Sequence, residues 1–480
     1  MNIGSLMVLL LQPAVFMSVI VLTGLLIQRK PFSNVVTGTV KSLIGFEMII
    51  MGGSIITEAT QPLMEMMTHG FHIQGTILNE EAATGVILRD YGIEISLIMV
   101  LGLLCNLILA RITRFHYVFM TGHQSMYMAA LIVCVLRNVG VAGAAEIGLG
   151  SLMAGIVMIL SPAVTQSFTR KICRSDQAAL GHFSSFSYLL AALAGKIFGD
   201  TEHSAEKLKI PGWLSFIRDT SVILFLTMSV LNLLASAAAG SEYVQTSLSG
   251  GQESVVFALQ KAAYFTIGFT VITTGVRWLV DEIVPAVRGI SKVLVPRAVP
   301  TIDCPLVFPY SPNSLVIGFI FSFLGGFASM WFMIACGLPV IIPGVVPHFF
   351  CGATAGVYGN STGGTRGAIL GGFVNGVLIS FLPMLALPHI GTLGNAGLSF
   401  ADADFCIVAI LLSGWIGRVG VTGAFLIMFC IIALMILVPE TLTDREKDIP
   451  WFIQESNKAV YESGDLKVLF PLGKEREKRE

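Results

Sequence analysis

The 480-residue sequence predicts an all-α polytopic membrane protein, with about eleven transmembrane helices and re-entrant hairpins in an inverted repeat. Three observations predict this. Hydrophobic types make up 54% and charged types 12%, against roughly 25% charged in an ordinary soluble domain. Apolar runs of spanning length recur along the chain. Two stretches at an offset of 223 residues share a glycine-centred pattern. So little charge cannot cover a soluble surface of this length, and it excludes disorder. The net charge of −1 excludes a basic nucleic-acid-binding domain. Eight cysteines (105, 134, 173, 304, 336, 351, 406, 430) lie mostly within apolar runs, without CxxC or Cys/His metal spacing. They read as buried free thiols rather than a disulfide scaffold.

In chain order, the spans fall at 6–27, 38–57, 93–111, 124–140, 148–168, 219–240, 254–276, 314–337, 367–388, 403–417 and 419–439. The first is too long for a signal h-region and has no cleavage site, so no cleaved signal is expected. Segments 62–90, 182–198 and 340–360 are apolar but too short or too rich in Gly and Pro to span. They read as re-entrant hairpins, whose backbone needs protein or a cavity around it. Arg29 and Lys30, Arg111 and Arg114, Arg170 to Arg218, and Arg277 to Arg297 fall on one side if the N-terminus is outside. That side is then cytoplasmic, as is the C-terminus. Residues 1–440 form the membrane domain, with repeat halves of roughly 1–200 and 219–439. Residues 441–480 form a charged cytoplasmic tail with 8 basic and 9 acidic residues, leaving 21 of each sign elsewhere.

The repeat rests on Ile44-Gly45-Phe46-x-x-Ile49-x-x-Gly52 against Ile267-Gly268-Phe269-x-x-Ile272-x-x-Gly275. The same offset pairs Pro62 with Pro285 and Glu80 with Asp303, and an offset of 225 pairs His123 with His348. The two halves run oppositely through the bilayer on the orientation above. In that layout substrate sits at the repeat interface near the midplane.

Asp303 is bracketed by Pro300 and Pro305 before an apolar span. An acid at membrane depth costs several kcal/mol unless paired or hydrated, so it reads either as interfacial or as an acceptor for substrate hydroxyls. His123 and His182 each follow a glycine and open an apolar stretch, where helix N-termini would offer N–H groups to a ligand. A neutral imidazole can donate and accept, which suits a polyhydroxy ligand. Glu80 reads as a hairpin tip or an external loop. Gly52-Gly53-Ser54 interrupts the second span and exposes backbone to a cavity or to a packed helix, so Gly53 and Ser54 join the candidate substrate contacts. No Walker motif, HExxH or G-x-S-x-G occurs. No catalytic residue, metal ligand or cofactor is expected.

Gly38-Thr39-Val40-Lys41-x-x-Ile44-Gly45-Phe46, Thr121-Gly122-His123, Leu208-Lys209-Ile210-Pro211-Gly212-Trp213-Leu214, Ile302-Asp303-Cys304 and Ile342-Pro343-Gly344-x-x-Pro347-x-Phe349-Phe350 closely resemble one family. It is the membrane-embedded IIC component of the ascorbate-type bacterial phosphotransferase system, and the resemblance covers about residues 5–440. It implies a homodimeric permease of the bacterial cytoplasmic membrane, with a dimer-forming part and a moving, sugar-holding core. It also implies soluble IIB and IIA partners, phospho-IIB phosphorylating incoming L-ascorbate. His123, His182 and Asp303 match polar positions of the family's site. Where the family has Gln, four residues after the first His and directly after the second, this chain has Tyr127 and Phe183. Lost amides change the hydrogen-bond pattern, so a related sugar acid, a pentose or a polyol joins ascorbate as expected substrate. The rival readings are an ion-coupled secondary transporter of a sugar or sugar acid, with Asp303 or Glu80 carrying a proton, and a non-transporting membrane sensor.

Overall fold

The computed structural model describes residues 13–71, 75–208, 220–295, 298–391, 393 and 397–437. The tail at 441–480, the start of the first span and most of the Leu208–Leu214 motif lie outside these residues. The helices are α1 (Pro13–Ile27), α2 (Phe32–Phe71), α3 (Glu80–Ile112), α4 (Gly122–Asn138), α5 (Ala144–Cys173), α6 (Ser185–Phe198), α7 (Thr220–Ala239), α8 (Ser254–Val293), α9 (Pro312–Ala335), α10 (Val345–Ala386) and α11 (Ala403–Leu437). Among the described residues, six helices are long and apolar enough to cross a membrane. A seventh is obtained if the bent pair Leu224–Ala239 and Ser241–Leu248 counts as one span. The chain is thus a multi-pass membrane protein. Of the eleven spans of the sequence reading, the first lies partly outside the described residues, 124–140 falls on the 17-residue α4, and 403–417 and 419–439 fall on the one merged helix α11.

Four of the helices depart from the expected boundaries. The helix α2 runs unbroken through Gly52-Gly53-Ser54 and through Pro62, although a break was expected there. Gly268 of α8 instead brings two backbones together: a Cβ there would lie 2.7 Å from the Gly52 carbonyl oxygen. The helix α3 leaves helical geometry at Tyr91, and α11 does so at Gly420 (φ 70°). The fourth, α10, reverses direction. A Cβ on Gly367 would lie 2.1 Å from the Gly359 oxygen, and one on Gly371 would lie 2.8 Å from the Ala355 oxygen. In a straight helix those pairs would stand about 12 and 24 Å apart. The turn is made at Gly363 and Gly364, the latter at φ 59°, a conformation open to glycine. The limbs 345–362 and 365–386 therefore lie side by side, with α6 and α9 packed against both.

Two groups of helices result. The helices α1, α2, α7 and α8 pack mainly on one another; α3 to α6 and α9 to α11 form a second body. The second body contains two small parallel sheets that the all-α expectation did not include: β5–β1–β6 (Ile341–Ile342, Thr76–Leu78, Leu398–Ser399) and β2–β4–β3 (Tyr117–Phe119, Val299–Ile302, Ala179–Leu180). Strands of two to four residues are too short to declare a two-residue period in sequence.

Away from the sheets, Arg137 at the end of α4 ties three helices. Its Nε donates to Glu146 of α5 (2.8 Å) and its Nη2 to Glu94 of α3 (3.0 Å). Its guanidinium lies 4.9 Å from the ring centre of Tyr91, where α3 breaks. The Glu146 side chain is fully buried. Replacing Arg137 by Met strands that carboxylate, and thermal unfolding of the purified protein should show a loss of about 2 kcal/mol. A melting curve matching wild type would remove the ion pair from the forces that join these helices.

Candidate functional site

Parallel strands deliver whatever follows their carboxyl ends to one edge of the sheet. In β2–β4–β3 the central strand is followed by Asp303, one flank by His123 and the other by His182. The outer edge of β2 is held by Asn106 of α3, which donates to the Tyr117 oxygen (3.2 Å) and accepts from the Phe119 nitrogen (2.9 Å). Gly181 N donates to the Ile302 oxygen at 2.7 Å, extending the β3–β4 pairing to the residue before His182.

The three side chains meet. Asp303 Oδ1 stands 2.7 Å from His182 Nδ1, and its Oδ2 stands 3.1 Å from His123 Nε2. Oδ1 also accepts from Cys304 N at 2.7 Å, so Asp303 caps the short turn that follows it. His182 and Asp303 are buried; the His123 side chain keeps 14% exposure. The second nitrogen of His182, Nε2, faces Asp402 Oδ2 at 2.9 Å. Asp402 Oδ1 accepts from Cys351 Sγ at 2.9 Å. An imidazole between two carboxylates needs a proton on each nitrogen to satisfy both, so the group holds an imidazolium or a carboxylic acid.

Residues that follow β6 of the other sheet meet residues that follow β3 of this one. After β6 come Asp402 and then α11, whose Asp404 Oδ2 accepts from Ser185 N (3.0 Å) and Ser185 Oγ (2.6 Å), and whose Oδ1 accepts from Phe186 N (3.0 Å). In return Asp404 N donates to the Phe183 oxygen at 2.9 Å. The N-termini of α6 and α11 therefore face each other, and a carboxylate between them answers the free N–H groups and dipole of α6. Glu80, which opens α3 after β1, is buried and accepts from Ala401 N at 2.8 Å, one residue before Asp402.

The remaining sequence candidates are distributed as follows. Tyr127 packs edge-on to His123, ring centres 5.7 Å apart. Phe183 is fully buried, stacked on Phe119 at 4.7 Å and edge-on to Phe405 at 5.5 Å, and its N–H donates to Gln124 Oε1 at 3.3 Å. Gly53 and Ser54 lie on α2 in the four-helix group, apart from the elements that build the cluster; Ser54 is exposed. His348 turns toward α9, its Nδ1 2.9 Å from Ser322 Oγ. Asp402, Asp404 and Cys351 escaped the sequence reading. The signal for the two acids was present: Phe400-Ala401-Asp402-Ala403-Asp404 places acids directly before an apolar run, as Ile302-Asp303 does. Nothing in the spacing distinguishes Cys351.

A buried polar centre at the starts of α4, α6 and α11, inside a multi-pass membrane protein, has the layout of a membrane transport component. The profile of the EIIC-GAT family, the PTS system sugar-specific permease component, matches residues 8–404, and the chain belongs to this family. A curated relative from Mycoplasma pneumoniae, the ascorbate-specific PTS system EIIC component, is 27% identical over 428 residues. The alignment covers 77% of this chain and 64% of the relative's length. The family is that of the permease component, whose task is transport.

Proposed function

We propose that this chain binds a sugar at the His123–Asp303–His182 cluster and carries it inward for phosphorylation by a separate IIB protein, itself charged by IIA. The observation that carries the reading is the cluster: three polar side chains from three adjacent strands, one carboxylate shared by two imidazoles, at the head of several helices. Such a group offers acceptors and donors to neighbouring hydroxyls while the surroundings exclude water. L-Ascorbate is the leading substrate, from the name of the Mycoplasma relative. Tyr127 and Phe183 extend the substrate class to a related sugar acid, a pentose or a polyol.

The chain works as a homodimer whose contact lies on the α1, α2, α7 and α8 group, and the second body moves against it. Its N-terminus is outside and its C-terminus cytoplasmic, on the distribution of Lys and Arg. The inverted repeat is supported by the strands: β4 lies 223 residues after β1, β5 lies 223 after β2, and each sheet's central strand comes from the opposite half to its flanks. Helices α2 and α8 are both 40 residues long. Phosphorylation on arrival adds charge, and a charged product does not return through an apolar path.

Vesicles containing the chain should accumulate phosphorylated labelled sugar when phosphoenolpyruvate and the soluble phosphotransferase proteins are enclosed, and take up little without them. Uptake of unmodified sugar driven by a proton gradient alone would replace this reading with an ion-coupled transporter.

A further inference from the structure

We propose that His182, Cys351 and Asp402 form a binding site for a soft or borderline divalent cation, zinc being the natural occupant by ligand type. The three donors come from three elements: the turn before α6, the first limb of α10 and the turn before α11. All three are buried. Their ligand atoms lie within 4.8 Å of one another: Cys351 Sγ stands 3.4 Å from His182 Nε2, and the Asp402 carboxylate divides between them, Oδ2 at 2.9 Å from His182 Nε2 and Oδ1 at 2.9 Å from Cys351 Sγ. Tetrahedral zinc with bonds of about 2.0 Å to N and O and about 2.3 Å to S requires ligand–ligand edges of roughly 3.3–3.5 Å. The imidazole–thiol edge already has that length, and the imidazole–carboxylate edge through Asp402 Oδ2 needs to open by about 0.4 Å.

The surroundings match as well. A metal-bound imidazole characteristically donates its other N–H to a carboxylate, which fixes the ring. His182 Nδ1 stands 2.7 Å from Asp303 Oδ1. The alternative set around Cys304 would use Asp303, whose oxygens are already taken by His182, His123 and the Cys304 N–H. Charge balances too. A divalent ion replaces the proton between His182 Nε2 and Asp402 and the thiol proton of Cys351, both of which pass to solvent. It leaves a dication facing one thiolate and one carboxylate, and relieves the need for an imidazole to be doubly protonated between two acids. The fourth tetrahedral position is left for water or a ligand hydroxyl. Taken with the sugar site proposed above, an occupied site would hold His182 away from substrate; the experiment below does not depend on that reading.

The test is titration of the detergent-purified full chain with Co²⁺, which reports its ligands in its spectrum. A Cys336→Ser/Cys430→Ser background removes the exposed thiols. The expected result is one Co²⁺ per chain, four-coordinate d–d bands, a thiolate-to-cobalt charge-transfer band, and displacement by Zn²⁺. Cys351→Ser should lose the charge-transfer band, and Asp402→Asn should keep that band while binding at least about tenfold more weakly. Cys304→Ser should behave as the parent. Absence of the charge-transfer band in the parent would overturn the proposal. So would its survival in Cys351→Ser, or its loss in Cys304→Ser, or an Asp402→Asn affinity equal to the parent's. Should Cys351→Ser not elute as folded protein, the Asp402→Asn and Cys304→Ser results decide.

Discussion

Asp303→Asn should weaken sugar binding by at least about 100-fold in calorimetry of the purified protein. The substitution keeps shape and volume, so the effect is one of charge and hydrogen-bond direction. One Asp303 oxygen takes the His182 N–H and the Cys304 N–H; the other faces His123. An amide offers a single acceptor oxygen. If that oxygen stays on His182, its NH₂ group is turned on His123; if it turns over, it loses both contacts on the other side. Hydrogen bonds to a charged group contribute about 1.5–3 kcal/mol, and leaving buried donors unmatched costs a similar amount again. A loss near 2.7 kcal/mol is already a factor of about 100 in affinity. His182→Ala should weaken binding comparably, because it removes the bridge between Asp303 and Asp402. Wild-type affinity in both variants would take these residues out of the sugar site.

The largest effect on stability is expected at Gly359. A Cβ there would lie 2.0 Å from the carbonyl oxygen of Gly367, on the opposing limb of α10. Backbone, unlike the end of a long side chain, cannot step aside, and prying the limbs apart disturbs their shared packing with α6 and α9. Gly359→Ala should therefore cost about 3 kcal/mol or more, the upper end of overpacking penalties, or prevent folded protein from being recovered. Gly414→Ala is the control, since nothing lies within 4 Å of a Cβ at that position. Equal melting temperatures for the two variants would show that α10 does not fold back on itself as described.

Some of this architecture was legible in the residues. Scarce charge and long apolar runs sufficed for a helical membrane protein, because the bilayer sets the length and polarity of what crosses it. The reversal of α10 falls between the expected segments 340–360 and 367–388, but 340–360 is no hairpin of its own: 345–362 is one helical limb, whose glycines let neighbouring backbones approach. Asp303, His123 and His182 stood out because polar residues beginning apolar segments are costly unless used. Other features were hidden. Gly52-Gly53-Ser54 left a cavity and a packed helix as alternatives; only the structure shows α2 unbroken there, with Gly268 of α8 against the Gly52 carbonyl. Asp402 was legible in principle. Cys351 was not, because a thiol in an apolar stretch is ordinary until its neighbours are known.

By itself, then, the sequence determined the solvent, the helical class and the polar residues in need of partners, because those depend on local composition and spacing. The tertiary structure alone decided which partners they find. His182 and Asp303 are 121 residues apart, and Cys351 and His182 are 169 apart. They meet because β4 pairs between β2 and β3, and because α6 and α11 start head to head. Pairing of that kind arises from packing and backbone hydrogen bonds between distant segments, which no local pattern encodes.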